Sequence, residues 1–525
     1  MSSLSFSSFH MEPGMVLAIA LYIAVMLGIG FFSARVSQRA GANGAGGFMQ
    51  EYFLAGRGMG GVALAMSVVT TYTSASSFIG GPGVAYTLGL GWVLLAMIQV
   101  PTTFLTLGIM GRRLAAYSRR TGAVTISDFL RARYGSKTLV MATSLFMLLF
   151  FMAVMLSQFI GGARIFEAAT GVPYSVGLML FGLTVIAYTT IGGFRAVVIT
   201  DVVQGFVMLF AAVALLVGIV DAGGGLAACM EKLARIDPGL IAPTGAQGKI
   251  PVPFLLSFWV LVGLGVLGLP QTAQKCMAFK DDRALCRGML VGTVVIGFLL
   301  FCTHMSGALG RAVLPDLPAG DLIMPSLTVR LLPPFVAGIF LAGVLAAIMS
   351  TVSSMLIMAS ATLIRDIYVY GSLRGEEDSA NPAFVRRASL CITAVLGLAV
   401  FALALRPPDL LVWINLFAFG GLEAVFLWPV VLGLFWKKAN ARGALFSVFA
   451  GVFFFMGFTP VPDNLLALLP QVLADWVRAV DNPLRLVPLH GVHPIVPSLV
   501  VSGLAFVLGN ACGKSPGEKR SSANC

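Results

Sequence analysis

The segment LAAIMSTVSS (Leu345–Ser354) places Ala347, Ser350 and Thr351 at positions i, i+3 and i+4. On an α-helix that spacing puts all three on one face. Two hydroxyls then stand beside the backbone carbonyl of Ala347, and oxygens of this kind are what a hard cation needs to replace its water shell. A second reading stays open, in which Ser350 and Thr351 bond back to their own helix and serve packing. In MSVVTTYTSASSFIGGPG, Ser67, Thr70, Thr71, Thr73, Ser74, Ser76 and Ser77 lead into Gly80-Gly81-Pro82-Gly83, and VGLGVLGLP carries Gly263, Gly265 and Gly268 ahead of Pro270. Such residues either interrupt a helix and free its backbone oxygens or let neighbouring helices pack closely. Two acids stand within or beside apolar runs, where a carboxylate needs water, an ion or a partner. Asp201 follows a turn that bears Arg195, with which it could form a local ion pair. Glu423, in GGLEAVFLWP, suits either cation coupling or pairing inside a helix bundle.

These residues are embedded in a chain of 525 residues that is 58% hydrophobic and 11% charged. Soluble domains carry roughly 25% charge, so a cytosolic enzyme and a disordered regulator are excluded. Apolar runs of about 20 residues, enough to cross a bilayer, recur along nearly the whole length. They predict an all-α polytopic membrane protein with about thirteen spans, at 12–34, 59–81, 89–111, 138–165, 172–191, 198–220, 252–270, 288–309, 333–362, 387–404, 410–434, 442–459 and 494–510. The 60 glycines and 26 prolines fit membrane helices, and no pattern of short alternating strands suggests a β-barrel. The run from Val16 to Phe32 has no basic residue before it, so it reads as a retained first span rather than a secretory signal.

Charge then orients the spans. With the N-terminus outside, the inner connections collect 25 of the 34 Lys and Arg residues, among them Arg112, Arg113, Arg119, Arg120, Arg131, Arg133, Lys137, Lys437, Lys438 and Arg442. The net charge of +12 is thus a topology signal. The basic residues are dispersed between spans without an aromatic platform, which excludes nucleic acid as a partner. Seven cysteines without a CxxC pair read as free thiols, four scattered histidines suggest no metal centre, and no Walker loop supports an ATP-driven pump. Among the connections, TISDFLRARYG is an amphipathic stretch expected to lie against the inner membrane surface, and Gly371–Pro382 a flexible inner loop. Short outer helices are expected at LAACMEKLARI and NLLALLPQVLADWVRAV.

The two interrupted spans are the second and the seventh. Five being odd, corresponding spans of two successive five-helix units point in opposite directions, and paired breaks at such positions mark a midplane site. The chain accordingly divides into a first span with its flanks (1–58), a first repeat (59–220), an outer loop (221–251), a second repeat (252–434) and peripheral C-terminal spans with a tail (435–525).

Several long stretches in order carry a resemblance: EYFLAGRGMGG (Glu51–Gly61), TYTSASSFIGGPGVAYTLGLGWVLLAMIQVP (Thr71–Pro101), QFIGGAR (Gln158–Arg164), GGFRAVVITDVVQG (Gly192–Gly205), LAAIMSTVSS and NLFAFGGLEAVFLWP (Asn415–Pro429). From about Tyr22 to Gly509 the chain resembles the sodium:solute symporter family. The resemblance implies a core of two inverted five-helix repeats and sodium as the coupling ion, with no other cofactor. It adds the carbonyls of Thr70 and Thr73 to the oxygens of Ala347, Ser350 and Thr351 as the sodium site. It also assigns Asp201 to the inner sodium pathway. In related symporters Gln99 and Ser77 match solute-contacting positions, and Tyr72, Ser76, Trp259, Gln271 and Asn415 are further candidates for substrate contact. Arg164 either reaches the substrate from the outer side or snorkels to the interface.

The resemblance further implies sodium-coupled import across a bacterial inner membrane, with a small carboxylate such as pantothenate as the first expectation and proline or another monocarboxylate as the alternative. No obligatory protein partner is evident. A membrane enzyme would need converging acid–base groups, whereas the acids here are dispersed. A solute sensor would carry an output domain, and only about fifteen residues follow the last predicted span.

Overall fold

The computed structural model describes residues 12–43, 47–370, 382–405, 411–459, 471, 475 and 492–512. Among them regular structure is helical, apart from one bridged pair at Met59 and Phe279. The elements that matter for the site are α1 (Pro13–Asn43), α2 (Gly61–Tyr72), α3 (Ser76–Leu88), α4 (Leu90–Thr121), α5 (Ile126–Tyr134), α6 (Lys137–Thr170), α7 (Tyr174–Ala222) and α8 (Leu226–Ile236). They continue with α9 (Val252–Gly268), α10 (Pro270–Ala278), α11 (Asp282–Val313), α12 (Pro334–Tyr368), α13 (Pro382–Ala404), α14 (Leu411–Phe435), α15 (Ala441–Phe458) and α16 (Ile495–Ala511). The predicted inner loop at 371–381, most of the predicted outer helix at 464–480 and the tail after 512 lie outside the described residues.

Both predicted interruptions are breaks. Between α2 and α3 the chain bends by 70°, and Thr73 is extended. The cause is the density of hydroxyls, which compete with the backbone for hydrogen bonds. Thr71 and Thr73 donate to the carbonyls of Ser67 (2.7 Å) and Val69 (2.9 Å). The N–H of Ala75, freed by the bend, donates to Oε1 of Gln158 on α6 at 2.9 Å. Between α9 and α10 the bend is 49°, with Leu269 extended and Pro270 opening the next helix. Proline has no N–H to give and suits a first helical position. The packing reading also holds at this second break: a Cβ on Gly268 would fall 2.7 Å from the backbone nitrogen of Leu427, so α14 comes against bare backbone there.

Nine helices among the described residues are long and apolar enough to cross a bilayer, or eleven when each bent pair counts as one span. At 49 residues α7 would be about 74 Å long, far beyond one crossing of about 30 Å. Gly193, with φ 60° and ψ −158°, kinks it into two helices between the spans expected at 172–191 and 198–220, in a conformation only glycine adopts freely. α16, at 17 residues, is apolar but shorter. These helices do not by themselves establish thirteen crossings. The expected limits fall short mainly at inner ends, where α4 runs to Thr121 rather than 111 and the second broken helix to Ala278 rather than 270. The extension of α4 carries the exposed Arg112, Arg113, Arg119 and Arg120, so a hydropathy pattern stops before the helix does.

The stretch TISDFLRARYG also differs from expectation. Thr125 and Asp128 form a capping box for α5, whose Ile126, Asp128, Phe129 and Leu130 are buried. Asp128 pairs with Arg365 at 2.5 Å and Arg131 at 3.5 Å. Burial works to raise its pKa, but the Arg365 guanidinium outweighs it and holds the carboxyl below its usual range. The helix is therefore docked into the bundle rather than laid on the membrane surface. LAACMEKLARI, by contrast, is α8 as expected.

Hydrogen bonds join the segment before α2, and α4, to the segment after α10 at the end expected to face inward. Met59 and Lys280 exchange backbone bonds with their partners across the Met59–Phe279 bridge, at 3.1 and 2.9 Å. Arg119 donates to the carbonyls of Phe279 (2.8 Å) and Lys280 (3.1 Å), and Arg112 pairs with Asp282 at 3.0 Å. This yields a topological prediction. In a background lacking the native cysteines, an impermeant thiol reagent applied to intact cells should modify Glu231→Cys and spare Arg120→Cys, both exposed positions. Equal labelling would reverse or void the orientation.

Candidate functional site

α12 crosses the first break with Ala347, Ser350 and Thr351 wholly buried. Ser350 Oγ lies 3.0 Å from the carbonyls of both Thr70 and Ala347. Thr351 Oγ1 lies 3.3 Å from the carbonyl of Thr73 and 3.0 Å from that of Ala347. Three carbonyls and two hydroxyls thus converge, and the two carbonyls on α2 are free because the helix ends there. The hydroxyls of Thr70 and Thr73 turn away to the carbonyls of Ser67 (3.3 Å) and Val69 (2.9 Å), so they add no oxygen to the cage. Five neutral oxygens suit a monovalent hard cation, whose single charge they can solvate without a carboxylate. The back-bonding reading and the cage reading coincide at Ala347, since one carbonyl serves both.

Beside this cage lies a group that sequence reasoning missed. Lys275, on α10, is 0% exposed. Its ammonium donates to Ser67 Oγ at 2.7 Å, Asp201 Oδ2 at 3.1 Å and Ser354 Oγ at 3.3 Å, and sits 4.9 Å from the centre of the Phe194 ring. Ser67 also donates to Asp201, and Thr71 shares a hydrogen bond with Ser354 at 3.3 Å. The pair binds α2, α7, α10 and α12 together. Asp201 is therefore partnered by Lys275, and Arg195 pairs instead with Glu51 at 2.6 Å. The available signal was a lysine five residues after Pro270, close to the second break; counting it among the inner basic residues hid it.

A cavity of about 460 Å³ opens above the break. Tyr72, Ser76, Ser77, Gln99 and Asn415 line it, as does Glu423. Asn415 is engaged at both ends: its Nδ2 donates to Ser76 Oγ at 3.0 Å and its Oδ1 accepts from Gln158 at 3.1 Å, which braces the break. Tyr72 is held by Thr106 at 3.0 Å. Trp259 and Gln271 are not brought to this wall. Trp259 is 56% exposed, because α9 turns Phe258, Leu261 and Val262 to the cavity instead, and Gln271 is buried beside the second break. Arg164 is exposed and does not line the cavity.

Three further wall residues went unrecognised. His304 has Nδ1 2.8 Å from the carbonyl of Leu300, which can only accept, so this nitrogen carries the proton and Nε2 is left as an acceptor. Lys249 and His493 stand at the mouth, on segments assigned to the outer side. Burial pushes the His493 imidazole down to about 4, so it is neutral near pH 7 and Lys249 supplies the positive charge at the entrance. The cavity reaches these segments. A cavity among the helices, two broken helices and five oxygens converging at one break are the features of a multi-pass membrane transporter of the cation-coupled, alternating-access class.

The chain belongs to the sodium:solute symporter family, whose sequence pattern matches residues 52–451. It is 48% identical to the sodium/pantothenate symporter of Escherichia coli K12 over 96% of this chain and 98% of that one. The sodium/pantothenate symporter of Haemophilus influenzae is 46% identical, over 97% and 98%. A solved Na+-coupled sialic acid symporter, in a substrate-bound outward-open state, superposes with a TM-score of 0.75 at 19% identity, covering 95% of this chain and 98% of its own. That likeness establishes the shared fold.

Proposed function

We propose that this protein carries pantothenate into the cell together with sodium across the bacterial inner membrane. Near-half identity to two sodium/pantothenate symporters, continuous over almost the whole chain, carries this reading. The site residues are Thr70, Thr73, Ala347, Ser350 and Thr351 for sodium, and Ser77 and Gln99 on the solute wall with Tyr72, Ser76 and Asn415 behind them. Residues 59–220 and 252–434 act as the two inverted repeats, with 1–58, 221–251 and 435–525 peripheral to them.

Coupling follows from adjacency. The Thr73 carbonyl belongs to the cage, and Ser74, Ser76 and Ser77, the next hydroxyl residues, line the cavity. Sodium held between α2 and α12 therefore orders the wall that the solute meets, which gives each ligand a higher affinity in the presence of the other. Asp201, paired with Lys275, serves this arrangement by holding α7 and α10 against α2 rather than by ligating the ion.

In proteoliposomes, labelled pantothenate should accumulate only under an inward sodium gradient, with weak or no competition from proline or galactose. Pantothenate is a monoanion, so symport with one sodium moves no net charge. Stimulation by an interior-negative potential, worth about 2.3 kcal/mol per charge at 100 mV, would require a second cation. Gln99→Ala should raise the half-saturating concentration by an amount of order 1–3 kcal/mol, the cost of leaving a buried solute group unpaired. Accumulation of another monocarboxylate while pantothenate neither enters nor competes would keep sodium symport and discard this substrate.

A further inference from the structure

We propose that Glu423 is the specificity-determining residue of the cavity and receives the hydroxyl-bearing end of the substrate, whose carboxylate lies toward the mouth. The inference rests on the pantothenate reading and deepens it. Asn415, Phe419 and Glu423 follow one another at i, i+4 and i+8 on α14, so one stripe of the helix faces the cavity. Asn415 is spent on bracing the first break, as described above, whereas Glu423 has not been paired within the bundle. It is 2% exposed, and its Oε2 has no hydrogen-bond partner among the described residues. The carboxylate occupies the space left by Gly265, where a Cβ would fall 2.1 Å from Oε2.

An unpartnered carboxylate at this depth is costly to the protein alone, so it is kept for something that enters. The free Oε2 can accept a hydrogen bond, so a donor is the partner that suits it. A cation needs several more oxygens, and the wall around Glu423 is apolar, made by Leu261, Val262, Val266, Leu269 and Phe419. The five converging oxygens lie instead at the first break. A hydroxyl needs only the one acceptor. Lys249 attracts the substrate's own carboxylate, which the apolar side chains near Glu423 could not solvate. A cationic lysine at one end and an unpartnered carboxyl oxygen at the other give the cavity a direction, and a β-alanine amide of a dihydroxy acid has the matching polarity.

The test compares pantothenate with the analogue in which both hydroxyls are replaced by hydrogen, as competitors of sodium-driven uptake and as ligands of the purified protein. In wild type the analogue should need at least a tenfold higher concentration. In Glu423→Ala the two should fall within twofold of each other. Gly265→Ala, which displaces the carboxylate without removing it, should lose the preference too, and Glu423→Gln should keep part of it through its amide oxygen. Sodium activation, measured at saturating pantothenate, should be the same in all variants. A retained tenfold preference in Glu423→Ala, or in Gly265→Ala if the first variant does not reach the membrane, overturns the proposal, as does a loss of preference that comes with weakened sodium activation. Absence of pantothenate uptake in wild type strikes the underlying reading, and is seen before any variant is made.

Discussion

Lys275→Met alone should leave little folded protein in the membrane, and adding Asp201→Asn should restore most of it. Both charges of this pair are fully buried, and removal of one partner strands the other in a medium that cannot solvate it. Breaking a buried pair in this way costs about 3–5 kcal/mol, whereas replacing both members by neutral groups is often close to neutral. Asp201 is the more exposed to this effect, since its Oδ1 has no hydrogen-bond partner even in the intact network. The measurements are the amount of purified protein and its thermal unfolding in detergent. A single variant as stable as wild type, or a double variant no better than the singles, would show that the pair does not bind the four helices as described. Sodium activation in the double variant separates the two roles considered for Asp201. A purely structural pair leaves it near wild type, and an ion-pathway carboxylate does not.

Ser350→Ala and Thr351→Ala should each weaken sodium activation of uptake by about ten- to a hundredfold, while leaving the protein in the membrane. Each removes one hydroxyl from the cage with little change in volume, and hydrogen-bond or dipole contacts to a charged group contribute about 1.5–3 kcal/mol. The two hydroxyls approach the same Ala347 carbonyl at 3.0 Å, so they address one ion and the double variant should cost less than the sum of the singles. Normal sodium dependence in the double variant would remove this cage from consideration. Additive losses would place the two hydroxyls on different ions.

The membrane class, the two breaks and the shared face of Ala347, Ser350 and Thr351 were legible in the amino-acid sequence because each depends on spacing along one chain segment, whereas Thr70 and Thr73 were joined to that face only through the family resemblance. Apolar runs of bilayer length leave no other fold class, and the hydroxyl run at Thr70–Ser77 and the Leu269–Pro270 junction interrupt their helices by local competition for hydrogen bonds. The i, i+3, i+4 relation of Ala347, Ser350 and Thr351 holds on any helix, whatever surrounds it. Helix ends were less legible where α4 continues through the exposed Arg112, Arg113, Arg119 and Arg120 and hydropathy no longer reports helical structure. TISDFLRARYG reads as amphipathic, but only the bundle supplies Arg365, 237 residues later, as the reason its buried face is polar.

What only the tertiary structure decided is which charged and polar groups meet. Lys275 and Asp201 are 74 residues apart, and Gln158 finds Asn415 across 257. No local pattern selects Asp201's partner, and Arg195, closest in sequence, is the wrong one because the turn carries it toward Glu51. Gln271 flanks the second break as closely in sequence as its glycines do, and Trp259 lies on the helix that leads into it, but neither is among the residues that line the cavity. Spacing along a helix sets which residues share a face; what that face meets depends on helix packing, and buried charges take their partners from whichever helix the packing brings within about 3 Å.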